Sequence, residues 1–157
     1  MLSRGRLDFA AIDLVRQQYA SEASFRATAI ACLKRWPKPA VYLEAGLAMM
    51  AAEARRFDHE SIPARRPRPK LRVLKAIGNE VAREFGLHPV HNMQVPEVLI
   101  LHQLFFSRES IPAGAAMLSV EDLSQWRRSN GHQLPCGQVA VEARPGGRHI
   151  EAFIAAI

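Results

Sequence analysis

Prolines 63, 67 and 69 fall within seven residues near the middle of the chain. Each removes a backbone donor and holds its own φ near −65°, so regular structure is expected to stop on either side of the run from Asp58 to Lys70. The segment reads as an extended, polyproline-like linker over 58–70 between two folded stretches, 1–57 and 71–157. With 157 residues, 48% of them apolar and 23% charged, the whole has the size and composition of an ordinary globular domain, which excludes wholesale disorder and collagen-like architecture.

Both stretches show apolar residues at helical spacing. Asp8 suits a helix N-cap, with Phe9, Ile12, Val15 and Tyr19 following on one face, and Phe25, Ala29, Cys32, Leu33 and Trp36 continue the stripe until Pro37 ends it. Pro39 suits the first turn of another helix, with Leu43, Leu47, Met50, Ala54 and Phe57 on one face. Residues 1–57 therefore read as a helical hairpin or three-helix unit. Such a small unit buries little surface alone, and Leu43, Leu47, Met50 and Phe57 are the candidate face of a homodimer.

Past the linker, Leu71, Leu74, Ile77, Val81 and Phe85 describe a helix capped by Gly86. Pro96 and Glu97 suit the start of a helix to about Ser107, although a buried strand over 98–106 fits the same apolar run. Ser119 and Asp122 have a capping-box-like spacing, with Leu118 and Leu123 placed as a hydrophobic staple, and predict a helix ending at Asn130–Gly131. Val139, Val141 and Ala143 then alternate with other residues, and Arg144-Pro145-Gly146-Gly147 is turn chemistry, so a β-hairpin returning through His149 to Ile154 is expected, with a short helix over 149–156 as the competing form. The fold class predicted is mainly α: an N-terminal helical unit and a C-terminal helical subdomain that ends in a small hairpin, the outline of a winged helix.

The charge is unevenly placed. Net charge is +6; residues 1–57 hold nine Lys/Arg against five Asp/Glu, residues 58–70 four against two, and residues 71–157 are balanced. Arg65, Arg66, Arg68, Lys70 and Arg72 put five cations in eight residues with no acid among them. Proline-stiffened arginines of this kind suit DNA phosphates or a narrow minor groove. In a winged module Gln125, Arg127, Arg128 and Asn130 would lie on or near the DNA-facing helix, and Arg144 and Arg148 would flank the wing. Against this, Glu121 and Asp122 stand where phosphates would approach. Arg outnumbers Lys 17 to 4 beside 24 alanines, a bias that a GC-rich, bacterial genome produces without any nucleic-acid partner.

Other chemistry is thinly represented. His88 and His91 form H-x-x-H, and His132 with Cys136 forms H-x-x-x-C, but nothing in the sequence joins the pairs into a metal site, and no metal or cofactor is expected. Cys136, between Pro135 and Gly137, is the one candidate nucleophile, while Cys32 reads as core. No G-x-S-x-G elbow, G-x-x-x-x-G-K loop or G-x-G-x-x-G turn occurs, so no motif argues for an enzyme. Glu80 and Glu84 read as a solvated helix face.

No apolar run reaches the roughly 20 residues of a membrane span, and Asp8, Asp13 and Arg16 break any secretory h-region. Two distant cysteines make no disulfide framework, so a reducing cytoplasm is expected. The reading is a cytoplasmic, dimeric regulator that binds double-stranded DNA through its basic arm. The alternative is a helical adaptor or assembly subunit with a protein partner, and the third is an enzyme using Cys136.

Overall fold

The computed structural model describes residues 7–127, 131, 133–135 and 137–157, and begins with two capped helices. Asp8 accepts the Ala11 amide at 2.8 Å and opens α1 (Phe9–Tyr19); Ser24 accepts the Ala27 amide at 3.2 Å and opens α2 (Phe25–Arg35). These caps satisfy amides that the first turn of a helix leaves without a partner. Pro37 follows the end of α2, as its ring requires.

The next segment corrects the mainly helical expectation. Residues Ala40–Ala48 form a strand, β1, and only Ala51–His59 form a helix, α3. A second strand, β2 (Lys70–Gly78), precedes the short α4 (Glu80–Phe85) and α5 (Ile100–Ser107); β3 (Met117–Asp122), β4 (Gln138–Pro145) and β5 (Ile150–Ala156) complete the chain. Among the described residues these five strands make one antiparallel sheet in the order β2-β1-β5-β4-β3, so the fold is a helix-covered sheet.

Each misreading has a physical cause. β1 is buried from Ala40 through Gly46, because helices and loops cover both sides of it, and a strand buried on both faces shows no apolar–polar alternation. In β2 the register slips opposite Glu44 and Ala45: Lys75 pairs with Glu44 and Val73 with Ala45, leaving Leu74 as an extra residue. That bulge shifts the alternation of side chains by one residue, so the three-residue spacing of Leu71, Leu74 and Ile77 does not mark a single face. Leu71 and Ile77 in fact belong to opposite sides of the sheet, packed in different cores. Ser119 is likewise mid-strand, paired with Val141, and not a helix cap; Asp122 instead caps a 3-10 turn over Leu123–Gln125.

Other expectations match. Gly86 ends α4 at φ +80°, a left-handed conformation that favours glycine. The apolar run read as helix or strand is α5, and β4 and β5 are the antiparallel pair announced by the Pro-Gly-Gly turn. They lie inside the sheet, so neither forms a projecting wing. The 58–70 segment is not an extended linker throughout: it holds the end of α3, a 3-10 turn over Pro63–Arg65 and the first residue of β2. With the rest of α3 it joins β1 to its hydrogen-bonded neighbour β2; β1 pairs also with β5, so the stretches before and after the prolines share one sheet.

Two cores result. On one face α1 and α2 press Phe9, Ile12, Leu33 and Trp36 against Tyr42 and Phe153. On the other, α5 and the loops bury Leu101, Leu104, Leu123 and Trp126 against Val41, Leu43, Val141 and Ile154. Full burial of a large apolar side chain contributes about 1.5–3 kcal/mol. The candidate dimer face is dispersed by this arrangement. Leu43 is core, Leu47 is exposed, and Met50 and Phe57 are half-buried on a different element. Among the described residues no helix is long and apolar enough to cross a membrane.

Candidate functional site

The chain between β1 and β2 leaves the sheet as α3 and a 3-10 turn (Pro63–Arg65), then returns through Pro67 and Pro69. Arg55, Arg56, Arg65, Arg66, Arg68 and Lys70 are all exposed along this excursion. Arg66 lies over the Phe57 ring at 5.0 Å and donates through Nε to the Glu60 carbonyl at 2.9 Å, which fixes the bend through backbone, and among the described residues no carboxylate pairs with it.

Where the excursion rejoins the sheet it borders a cleft of about 460 Å³. Lys70, Arg72, Arg127 and Glu53 supply its charges, and Asn92, Gln94 and Gln125 its amides. Three elements meet there. Residues Asn92 to Val95 run along the outer edge of β2, with the Val95 amide donating to the Leu71 carbonyl at 2.9 Å and the Val73 amide to the Met93 carbonyl at 2.9 Å. Gln94 pairs with Arg72 in that contact. Gln125 and Arg127 arrive on either side of Trp126, whose full burial in the core holds both neighbours at the surface.

Arg72 is not a surface contact, although the sequence groups it with the arm. It is 4% exposed, donates through one terminal nitrogen to the Asn92 carbonyl at 3.0 Å, and through the other to both Glu53 oxygens at 3.0 and 3.1 Å. Its Nε is buried with no hydrogen-bond partner among the described residues. Glu53 also accepts the Met50 amide at 2.8 Å. That backbone hydrogen bond, with the charges of Arg72 and Lys70, outweighs partial burial and holds the Glu53 carboxyl below its ordinary value. The cleft thus carries three cations against one ionised acid. Glu53, Asn92 and Gln94 had escaped notice; Glu53 was detectable as an acid just inside a helix start, whereas nothing local marks Asn92 or Gln94.

The remaining sequence candidates separate. Arg144 does not face solvent beside a wing. It lies over the Phe9 and Phe25 rings at 4.2 and 4.0 Å, and pairs with Glu151 at 3.0 Å and Asp13 at 3.3 Å. This belongs to a larger structural network in which the Tyr42 hydroxyl lies 3.2 Å from Glu44 and 3.0 Å from Glu151, and Arg26 closes on Glu44. Arg148 is exposed at the turn after β4. Arg128, Asn130, His132 and Cys136 lie outside the described residues. His91 Nδ1 sits 2.9 Å from the Leu74 carbonyl, and His88 Nδ1 is buried without a partner. Among the described residues no three His, Cys, Asp or Glu gather as metal ligands.

A scan against known protein families finds no match for this chain, and a search of curated proteins finds no relative.

Proposed function

We propose that this protein binds DNA through its phosphate backbone, using the basic excursion between β1 and β2. One observation carries the reading: Arg65, Arg66 and Arg68 are exposed on a proline-stiffened segment that leads through Lys70 to the cationic cleft. Stiff backbone lowers the entropy lost on docking, and fixed cations gain from the release of counterions condensed on the nucleic acid. The balanced charge of residues 71–157 concentrates the attraction on this side of the chain's sequence. Base reading by a helix over 119–130 forms no part of the proposal, since β3 occupies its first residues. The setting that fits is the cytoplasm, where Cys32 stays a buried thiol.

Fluorescence anisotropy with a labelled duplex across a salt series tests it. Affinity is expected to fall steeply with salt, and Arg65→Ala, Arg66→Ala and Arg68→Ala together are expected to reduce the log–log slope by about 2 to 3. An unchanged slope in that triple variant, or no binding at low salt, overturns the reading.

The protein-partner alternative has an observation of its own. β3 is the strand at one edge of the sheet, and Leu118 and Val120 stand 53% and 58% exposed on one side of it. Open apolar edges invite strand pairing. If that reading is right, Val120→Lys abolishes association in sedimentation without altering the fold; a chain monomeric at high concentration removes self-association.

A further inference from the structure

The excursion explains attraction to a backbone, but not why a shaped cleft lies at its end. We infer that this cleft takes one unpaired nucleotide of a DNA strand, and that the protein consequently prefers single strands or strand ends to continuous duplex. The inference rests on the DNA-binding reading and assigns a specificity to it.

Size and chemistry both point this way. The cleft, at about 460 Å³, falls within the roughly 300–1,000 Å³ of small-ligand sites. The bases of a duplex are stacked inward, so it can offer this cleft only phosphates at the rim, whereas a single strand can turn a base into it. Lys70 and Arg127 line the cleft and are exposed, so each offers a cation to a phosphate. Arg72 lies deeper, its guanidinium oriented by Glu53 and the Asn92 carbonyl, with the Nε–H still without an acceptor among the described residues. Met50 and Pro96 give apolar surface for a base face, and the Gln94 and Gln125 amides offer a donor and an acceptor each to a base edge. A cleft built for a simple inorganic anion would need neither feature. Glu53 removes part of the positive charge but locks the arginine in place, and geometry of this kind favours a directed contact over diffuse attraction.

The test compares a labelled single strand of mixed sequence with the same strand annealed to its complement, at one salt concentration. Three proteins are measured: the native chain, Gln94→Ala with Gln125→Ala, and the triple arm variant. Both cleft substitutions are at exposed side chains, and circular dichroism checks that the fold is kept. The native chain is expected to bind the single strand roughly tenfold more tightly than the duplex, the scale of one held base. The cleft variant is expected to lose that preference while its duplex affinity changes less than about twofold. The arm variant is expected to lose affinity for both forms. Equal affinity of the native chain for the two forms overturns the inference, as does a cleft variant that loses affinity for both alike, and in either case the DNA-binding reading survives. Binding to neither form overturns both.

Discussion

Glu44 and Glu121 are buried almost equally on opposite faces of one sheet, 7% and 9% exposed, yet their acidities move in opposite directions. Burial pushes both upward. Glu44 meets the Arg26 guanidinium and the Tyr42 hydroxyl, and the Arg26 hydrogen bonds and charge bring its carboxyl below the ordinary value. Glu121 has no cation against it among the described residues. It accepts the Ile100 amide at 2.6 Å, at the start of α5, and the Ser119 side chain also favours its ionised form, but burial outweighs both. Desolvation sets a cost common to both, and the partner decides its sign. The two faces differ in the same way: the one beneath α1 and α2 includes a paired ionic network, and the other is a nearly continuous apolar core with one poorly compensated acid.

The largest break in this contrast comes from Arg26→Ala. Glu44 then faces Glu151, its direct cross-strand neighbour, without that guanidinium. A loss of about 2 kcal/mol is expected at neutral pH, less than for a wholly buried pair because Arg26 is half-exposed and solvent screens it. The pH dependence follows. The folded value of Glu44 is depressed, so its stabilisation is present above the unfolded value of about 4.5 and lost as pH falls through the lower folded value. Urea denaturation should therefore show the native chain and Arg26→Ala converging on the acid side, and a constant gap would refute the pairing.

Tyr42→Phe comes next, at about 1–1.5 kcal/mol, since it removes a hydroxyl in contact with two carboxylates and leaves the ring packed on Phe153. Thermal denaturation measures it, and a neutral result would show that the carboxylates are satisfied elsewhere.

Glu121→Gln should act in the opposite sense, with a gain of about 1 kcal/mol at pH 7. The carboxamide still accepts the Ile100 amide but never ionises. Because the folded value of Glu121 is raised, its contribution is fully present below about 4.5 and is lost as pH rises through the folded value. Native and variant chains should coincide in acid and diverge toward neutrality; a variant less stable at every pH would mean that the carboxylate has an overlooked partner. The smallest effect is expected from Arg16→Ala. Its 4.0 Å pair with Asp13 is exposed on both sides and should be worth under about 0.5 kcal/mol in the same denaturation assay.

The helical ends were readable because capping is a local matter. Asp8, Pro37 and Gly86 act on amides or carbonyls a few residues away, and each stands where its chemistry demands. The hairpin of β4 and β5 was readable for a similar reason. Gly147 takes φ +81°, and a Cβ on Gly146 would come within 2.8 Å of the His149 ring, so the turn residues announce themselves. The site was half legible: the arm's cations are contiguous in the chain, but the cleft draws on residues near 50, 70, 94 and 126.

Composition, caps, turn chemistry and the location of the charge were decided by the sequence alone, since each depends on near neighbours or on counting. The identity of β1, β2 and β3 as strands was decided by tertiary structure. Covering β1 on both faces erased its alternation, and a bulge displaced that of β2. Leu118 and Val120 of β3 are apolar at positions that face outward, so the pattern there gives no period-two signal. Tertiary structure likewise separated like from like among the charged residues. Arg68 and Arg72 are four positions apart, yet one is exposed on an excursion and the other is a buried, carboxylate-paired group, because only β2 has a neighbouring strand and a covering helix to take it out of water.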